Sequence, residues 1–239
     1  VSLFAQVAGG AVAGGALKLC WAAFAILGIG SWVYHKLILP ARLRRHPYTV
    51  RAVEKAAHRV WAVTLTPPAG AEPLSFLPGQ SQFITPLSRP EEHPFTISSG
   101  VPDSTHTSTI KESGDFTSRI AELRPGDKVA VQGPFGRFSY RCHPEEYPLV
   151  FIAGGVGITP LMAMLRALRH DGEKRSVALF YGNRSEEEII FRQELREIEE
   201  EGTPKLKATH LVERPGPGWR GLTGRIALET LRPTIDESD

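Results

Sequence analysis

Leu149-Val150-Phe151-Ile152-Ala153-Gly154-Gly155-Val156-Gly157-Ile158-Thr159-Pro160 is the stretch on which the fold turns. The apolar run Leu149 to Ala153 reads as a buried strand, and glycines follow at once. Behind them Ile158, Leu161, Met162, Leu165 and Leu168 keep the spacing of one helix face. Glycines let a backbone approach a bulky ligand without Cβ interference, and a new helix points its free N–H groups at that ligand. Thr159 is placed to cap the helix, with Pro160 at its first position, where a missing N–H costs nothing. Open α/β sheets bind a pyrophosphate at such a junction. The run lacks the third glycine of the usual dinucleotide fingerprint, so by itself a simple tight turn explains it as well.

Downstream, Ser176 to Tyr181 reads as a second strand, Phe191, Leu195 and Ile198 mark a helix face, and Leu206 to Val212 is a third strand. This alternation argues a parallel α/β sheet. Tyr181-Gly182-Asn183-Arg184 closes the second strand and Glu213-Arg214 follows the third. Glu188, four residues before Arg192, reads as an ordinary solvated helix pair with no function. Upstream the rhythm is different. Thr49 to Ala56, Val60 to Thr66, Gln82 to Leu87, Phe95 to Ser98, Thr107 to Lys111 and Lys128 to Gln132 are strand-like. Pro67-Pro68, Pro73, Pro78-Gly79 and Pro86 punctuate them, as turns do in a small antiparallel barrel or sandwich. Phe116 to Leu123 reads as a short capped helix, and no internal repeat is found.

The start of the chain differs in kind. Leu19 to Tyr34 carries no charge and Leu37 to Leu39 continues its apolar character, so 19–39 reads as a membrane helix. Roughly twenty such residues span a hydrocarbon core. Lys18 and Lys36 can snorkel, and Trp32 and Tyr34 lie where an aromatic belt would be. Arg42, Arg44, Arg45 and Arg51 against a lone Lys18 place the C-terminal side in the cytoplasm. The expected division is 1–40 membrane segment, 41–145 β-barrel and 146–239 α/β domain. The whole chain has 239 residues, 41% of them hydrophobic and 23% charged, enough for two modest domains. A net charge of +2 argues for no nucleic-acid partner. Cys20 and Cys142 lie far apart, so neither a disulfide framework nor a metal site is expected.

Three further segments set the order of motifs: His93-Pro94-Phe95-Thr96-Ile97-Ser98-Ser99, Ile110-Lys111-Glu112-Ser113-Gly114-Asp115-Phe116-Thr117, and Gly133-Pro134-Phe135-Gly136-Arg137-Phe138. With the glycine run they resemble the ferredoxin–NADP reductase superfamily over about Tyr48 to Arg225. More narrowly they are similar to its ferric reductase and NADPH oxidase branch, whose flavin motif reads His-Pro-Phe-Thr.

That resemblance implies an N-terminal membrane helix, an FAD-binding antiparallel barrel and an NAD(P)-binding parallel α/β domain. Hydride would pass from nicotinamide to flavin, then electrons singly to haem and on to ferric iron or oxygen. A reductase subunit serving a separate redox protein, or an inactive remnant, are the alternatives. Phe95 would pack against the flavin and Thr96 would meet its N5 region, since a hydroxyl both donates and accepts. His93, Pro94, Ile97, Ser98 and Ser99 complete that segment, with His93 along the phosphates or ribityl chain. Lys111, Gly114, Asp115, Phe116 and Thr117 would hold the FAD pyrophosphate. Gly154, Gly155, Val156, Gly157, Ile158, Thr159 and Pro160 would hold the NAD(P) pyrophosphate, and Asn183, Arg184 and Arg214 the adenosine half. Arg184 and Arg214 favour NADPH, although Glu213 stands where relatives place serine and could select NADH. Haem would belong only to membrane helices upstream of Val1, and the protein to the cell membrane with its cofactor domains in the cytoplasm. Nothing after Arg225 resembles the family's closing Cys-Gly-Pro motif, so the chain reads as truncated at both ends and slow in flavin reduction.

Overall fold

The computed structural model describes residues 15–88, 91–101, 103–145 and 148–231. Two compact units divide between His46 and Pro47.

The first is helical: α1 (Gly15–Val33), a π-helical turn (Tyr34–Ile38) and α2 (Leu39–Arg45). Leu17–Arg45, 29 residues of mean hydropathy 1.5, is long and apolar enough to cross a membrane, a test that a signal sequence also passes. The helix was expected to stop at Pro40, yet it runs on to Arg45. A proline removes one N–H from the ladder. Here the preceding turn is already widened, Leu39 N–H bonding to Tyr34 O, so Pro40 sits beside an existing irregularity. No Asp or Glu precedes Glu54 in the chain.

The second unit holds two sheets. Strands β1 (Tyr48–Ala57), β2 (Val60–Thr66), β3 (Ser81–Pro86), β4 (His93–Thr96), β5 (His106–Lys111) and β6 (Lys128–Phe135) form an antiparallel sheet in the order β4-β3-β6-β1-β2-β5. An Ile97–Ser108 bridge and the Ser98 N–H to Thr107 O bond of 2.7 Å join its two edges, which curls it into a barrel. Val50, Val63, Leu65, Ile84, Ile110 and Val129 fill the interior. The β6 ladder outruns its expected end at Gln132 because Phe135 still pairs with Ser81. The parallel sheet follows, with β7 (Leu149–Gly154), β8 (Ser176–Asn183), β9 (Lys205–Val212) and β10 (Leu222–Thr223) in the order β10-β9-β8-β7. Helices α3 (Thr159–His170) and α4 (Arg192–Glu201) connect β7 to β8 and β8 to β9. Two residues are too few to show a strand period, so β10 was not anticipated.

Polar groups also lie inside the barrel. His106 Nε2 is 2.9 Å from Gln82 Oε1, and Gln82 Nε2 donates to Ser108 Oγ at 3.1 Å. Burial pushes the His106 imidazole down to about 4. An unfolded imidazole takes a proton near 6.5 that the buried one refuses, so this group stabilises the fold above that pH. Its contribution is lost as the pH falls from about 6.5 towards about 4. Urea titrations of the chain should therefore lose on the order of 2 kcal/mol more between pH 7 and 5 than those of His106→Gln. Parallel pH profiles for the two proteins would rule this out.

Candidate functional site

Strand β7 ends at Gly154 and hands over to a 3-10 turn, Gly155–Ile158, that runs straight into α3. Gly155 has φ 51°, a left-handed conformation that costs a glycine little. A Cβ built on Gly154, Gly155 or Gly157 would meet nothing within 4 Å, so this turn borders open space. Thr159 does not cap the helix as expected. Ile158 before it is already in right-handed helical conformation, and the Thr159 hydroxyl turns back to donate to Val156 O at 3.0 Å. The turn is held from beneath by Tyr181, whose hydroxyl donates to Gly155 O at 3.0 Å and accepts Ile190 N–H at 3.2 Å. Burial pushes this phenol up to about 12, so it remains a donor throughout the physiological range.

Facing the turn is a cleft of about 830 Å³. One wall comes from the parallel sheet: Gly154 to Val156, Gly182 to Arg184, Glu188, Glu213 and Gly224 to Ile226. The other comes from the barrel: Arg59 and Lys111 to Gly114. Asn183 is buried in this wall, its side chain against the Tyr181 hydroxyl, though without a well-aligned hydrogen bond among the described residues. Three ion pairs among those residues lie in the cleft. Lys111 Nζ meets Glu188 Oε2 at 2.7 Å, and this bond holds the Glu188 carboxyl below its ordinary range. Glu112 accepts Trp61 Nε1–H at 2.7 Å and Arg59 Nε–H at 3.1 Å, and both bonds lower it. Arg225 Nε donates to Glu213 Oε1 at 2.9 Å. The expected Glu188–Arg192 pair is absent, because Glu188 lies in a 3-10 turn before α4 and Arg192 pairs with Glu186.

The His93 to Ser99 segment lies on β4 and beyond. In register, His93 and Phe95 oppose Ile84 and Gln82, whose side chains point into the barrel. His93 stacks on Phe116 with ring centres 3.9 Å apart, and Phe95 lies 6.1 Å from Phe116 and nearly parallel to it. Pro94 and Thr96 face outward beside Phe83 and Ser81, and the Thr96 hydroxyl has no partner among the described residues. Ile97 and Ser98 are buried, and Ser99 Oγ accepts Thr107 N–H at 2.7 Å. Thr117 Oγ accepts Ser113 N–H at 2.7 Å, tying the turn that carries Gly114 and Asp115.

The cleft thus gathers Lys111, Gly114, Gly154, Gly155, Val156, Asn183 and Arg184 from the expected residues. His93, Phe95 and Phe116 form a separate aromatic stack, and Asp115, Thr117 and Gly157 to Pro160 are not part of its lining. Arg214 is exposed and also outside the lining. The sequence reading missed Arg59, Glu112, Ser113, Glu188, Arg225 and Ile226 there. Arg59 gave no turn signal, since its φ of 55° occurs in Ala-His-Arg-Val without glycine or asparagine.

An antiparallel barrel followed by this parallel sheet is a fold that solved structures share. Residues 151–239 match the oxidoreductase NAD-binding domain family. Among curated proteins the chain is similar to NADH-cytochrome b5 reductase 1 of Kluyveromyces lactis, 33% identical over 125 residues, 52% of this chain and 44% of that protein. The chain spans about half the length or less of the curated relatives it matches. Among solved structures it resembles the flavohem-like FAD/NAD binding domain of nitric oxide dioxygenase from Vibrio cholerae, at TM-score 0.68 and 24% identity, covering 77% of this chain and 80% of that one. The cytochrome b5 reductase domain of Ulva prolifera nitrate reductase gives TM-score 0.67 at 22% identity, over 78% of this chain and 80% of that one.

Replacing Tyr181 by Phe strips a donor from Gly155 O and an acceptor from Ile190 N–H. The variant should be destabilised by about 1–3 kcal/mol in urea, the cost of leaving buried polar groups unpaired. Unchanged stability would mean that water takes over both bonds.

Proposed function

We propose that this chain is the electron-transfer part of an NAD(P)H-dependent flavoprotein oxidoreductase of the cytochrome b5 reductase type, held at a membrane by its N-terminal helix. The observation that carries the reading is the glycine turn Gly154 to Val156, open to a cleft that barrel residues Lys111 to Gly114 share. A dinucleotide laid along Gly154 to Val156 meets the N–H groups that open α3, and finds cations at Arg184 and Arg225. On the barrel, Lys111 and the Ser113–Gly114 backbone suit the FAD pyrophosphate, and the unengaged Thr96 hydroxyl suits a ring nitrogen that changes protonation. When bound, flavin supplies the chemistry that takes two electrons from nicotinamide and releases them one at a time. The protein's share is orientation: the Tyr181 bond fixes the turn, and Thr96 meets the reacting edge.

The acceptor we infer is a haem protein, in line with the names of the cytochrome b5 reductase relatives. A second reading sends electrons to haem in membrane helices of a ferric reductase or NADPH oxidase-like protein. His93-Pro94-Phe95-Thr96 and the apolar helix with Arg42, Arg44 and Arg45 just before the barrel favour it. Adding soluble cytochrome b5 to NADH-reduced protein separates the two, because rapid haem reduction supports the first reading only.

For the nucleotide, Glu213 lining the cleft and Arg214 lying outside it support NADH over the NADPH expected from the two arginines. A carboxylate there accepts a ribose 2′-hydroxyl and repels a 2′-phosphate. Steady-state kcat/KM should favour NADH, and Glu213→Ala should shrink that preference about tenfold or more. A wild type that prefers NADPH, with Glu213→Ala silent, reverses the assignment.

The purified chain should bind FAD by fluorescence titration, and Asn183→Leu should weaken ADP-ribose binding while leaving FAD affinity unchanged. Failure of the folded wild type to bind either ligand would remove the proposal's foundation.

A further inference from the structure

Two turns into α3, on the helix that starts at the glycine turn, lies a side chain not yet given a role. Arg166 Nη1 donates to Ser98 O at 2.5 Å. Its Nε and Nη2 form a two-pronged pair with Glu194 on α4, at 2.7 Å to Oε1 and 2.6 Å to Oε2. The guanidinium carbon stands 4.8 Å from the centre of the Phe191 ring. Only arginine can do all this at once, because its planar fork presents several donors in fixed directions. Ser98 is two residues beyond Thr96, and its N–H and hydroxyl are already bonded to Thr107 O at 2.7 and 3.0 Å. The Ser98 carbonyl is therefore one point at which the barrel is attached to α3. Beside it the chain lies on the helix itself: a Cβ on Gly100 would come within 2.5 Å of Arg166 Cβ and 2.6 Å of Ala167 N.

We infer that Arg166 is a positioning residue for the transfer between nicotinamide and flavin, fixing the strand that carries Thr96 against the helix that begins at the glycine turn. The inference rests on the two-cofactor function proposed above. Transfer needs reacting atoms about 3–3.5 Å apart, and misplacement of about 1 Å can cost on the order of a hundredfold. A guanidinium held in plane by Glu194 and covered by Phe191 limits such drift to less than a freely rotating side chain would. Glu194 contributes by holding Arg166, so removing either partner loosens the same attachment.

The test compares the wild-type chain with Arg166→Gln, Arg166→Lys and Glu194→Gln. Without FAD or nucleotide, hydrogen exchange at amides 97–101 should rise about tenfold in Arg166→Gln and Glu194→Gln, while 60–66 and 177–182 stay as protected as in the wild type. With FAD bound, stopped-flow flavin reduction should slow about tenfold, with the nucleotide dissociation constant changed less than twofold. Arg166→Lys should fall between, and millimolar guanidinium should restore part of the rate in Arg166→Gln. Unchanged exchange at 97–101 overturns the inference. So does a rate loss that comes with general loss of protection and of both cofactor affinities, which would mark Arg166 as merely structural. If the wild type binds no FAD or nucleotide, the proposed function fails, and the positioning role with it. The exchange data then show separately whether the attachment exists.

Discussion

The barrel and the parallel sheet meet backbone against backbone, and the rest of the unit depends on that closeness. Gly79 has φ 99°, and a Cβ there would lie 2.1 Å from Phe138 O and 2.6 Å from Met164 Cε on α3. Gly100 is pressed against the same helix one turn further on. Any side chain at either place would push the two layers apart. Hydrophobic burial then seals the contact. Val60, from the first hairpin of the barrel, and Tyr140, after its last strand, belong to the core that also contains Leu161, Met164 and Leu168 of α3. Ala56, Ala57 and Val101 pack against that core from the barrel side. Fully burying a valine-sized side chain contributes about 1.5–3 kcal/mol, so even this small set outweighs an exposed ion pair.

The cleft beside that contact is built on a different principle. Three of its cations are held in pairs, Lys111 with Glu188, Arg225 with Glu213 and Arg59 with Glu112. Half-exposed pairs of this kind add little to stability. They keep positive charge in fixed places without letting it repel itself, and an anionic ligand then competes with a carboxylate already at hand. Tyr181 serves the same region through an uncharged group, since its raised pKa keeps the proton that the Gly155 carbonyl requires.

Periodic features could be read from the residues alone. The strand–helix alternation after Leu149 and the span Val60–Thr66 were legible because side-chain period follows directly from which face is buried. The glycine turn was legible because glycine has few other reasons to cluster between a strand and a helix. What escaped was long-range pairing. Nothing local ties Lys111 to Glu188 across the cleft, or Arg59 to Glu112 just past β5. Arg214 looked like a ligand residue because it follows a strand end, but register with Arg184, whose carbonyl takes its N–H at 2.9 Å, leaves it at the exposed rim. The Thr159 cap failed for a local reason that the residue type could not reveal, a 3-10 turn running without a break into α3.

The absence of acids before Glu54 means that the chain's small net charge conceals a strong polarity. Residues 1–53 carry Lys18, Lys36, Arg42, Arg44, Arg45 and Arg51 unopposed, so against an overall +2 the remainder is net negative. Near a surface of negative charge, the amino-terminal stretch is attracted and the remainder repelled, and salt weakens both effects. A cationic partner approaching from the solution would meet the reverse bias, attracted to the part that carries the cleft and turned away from the tail.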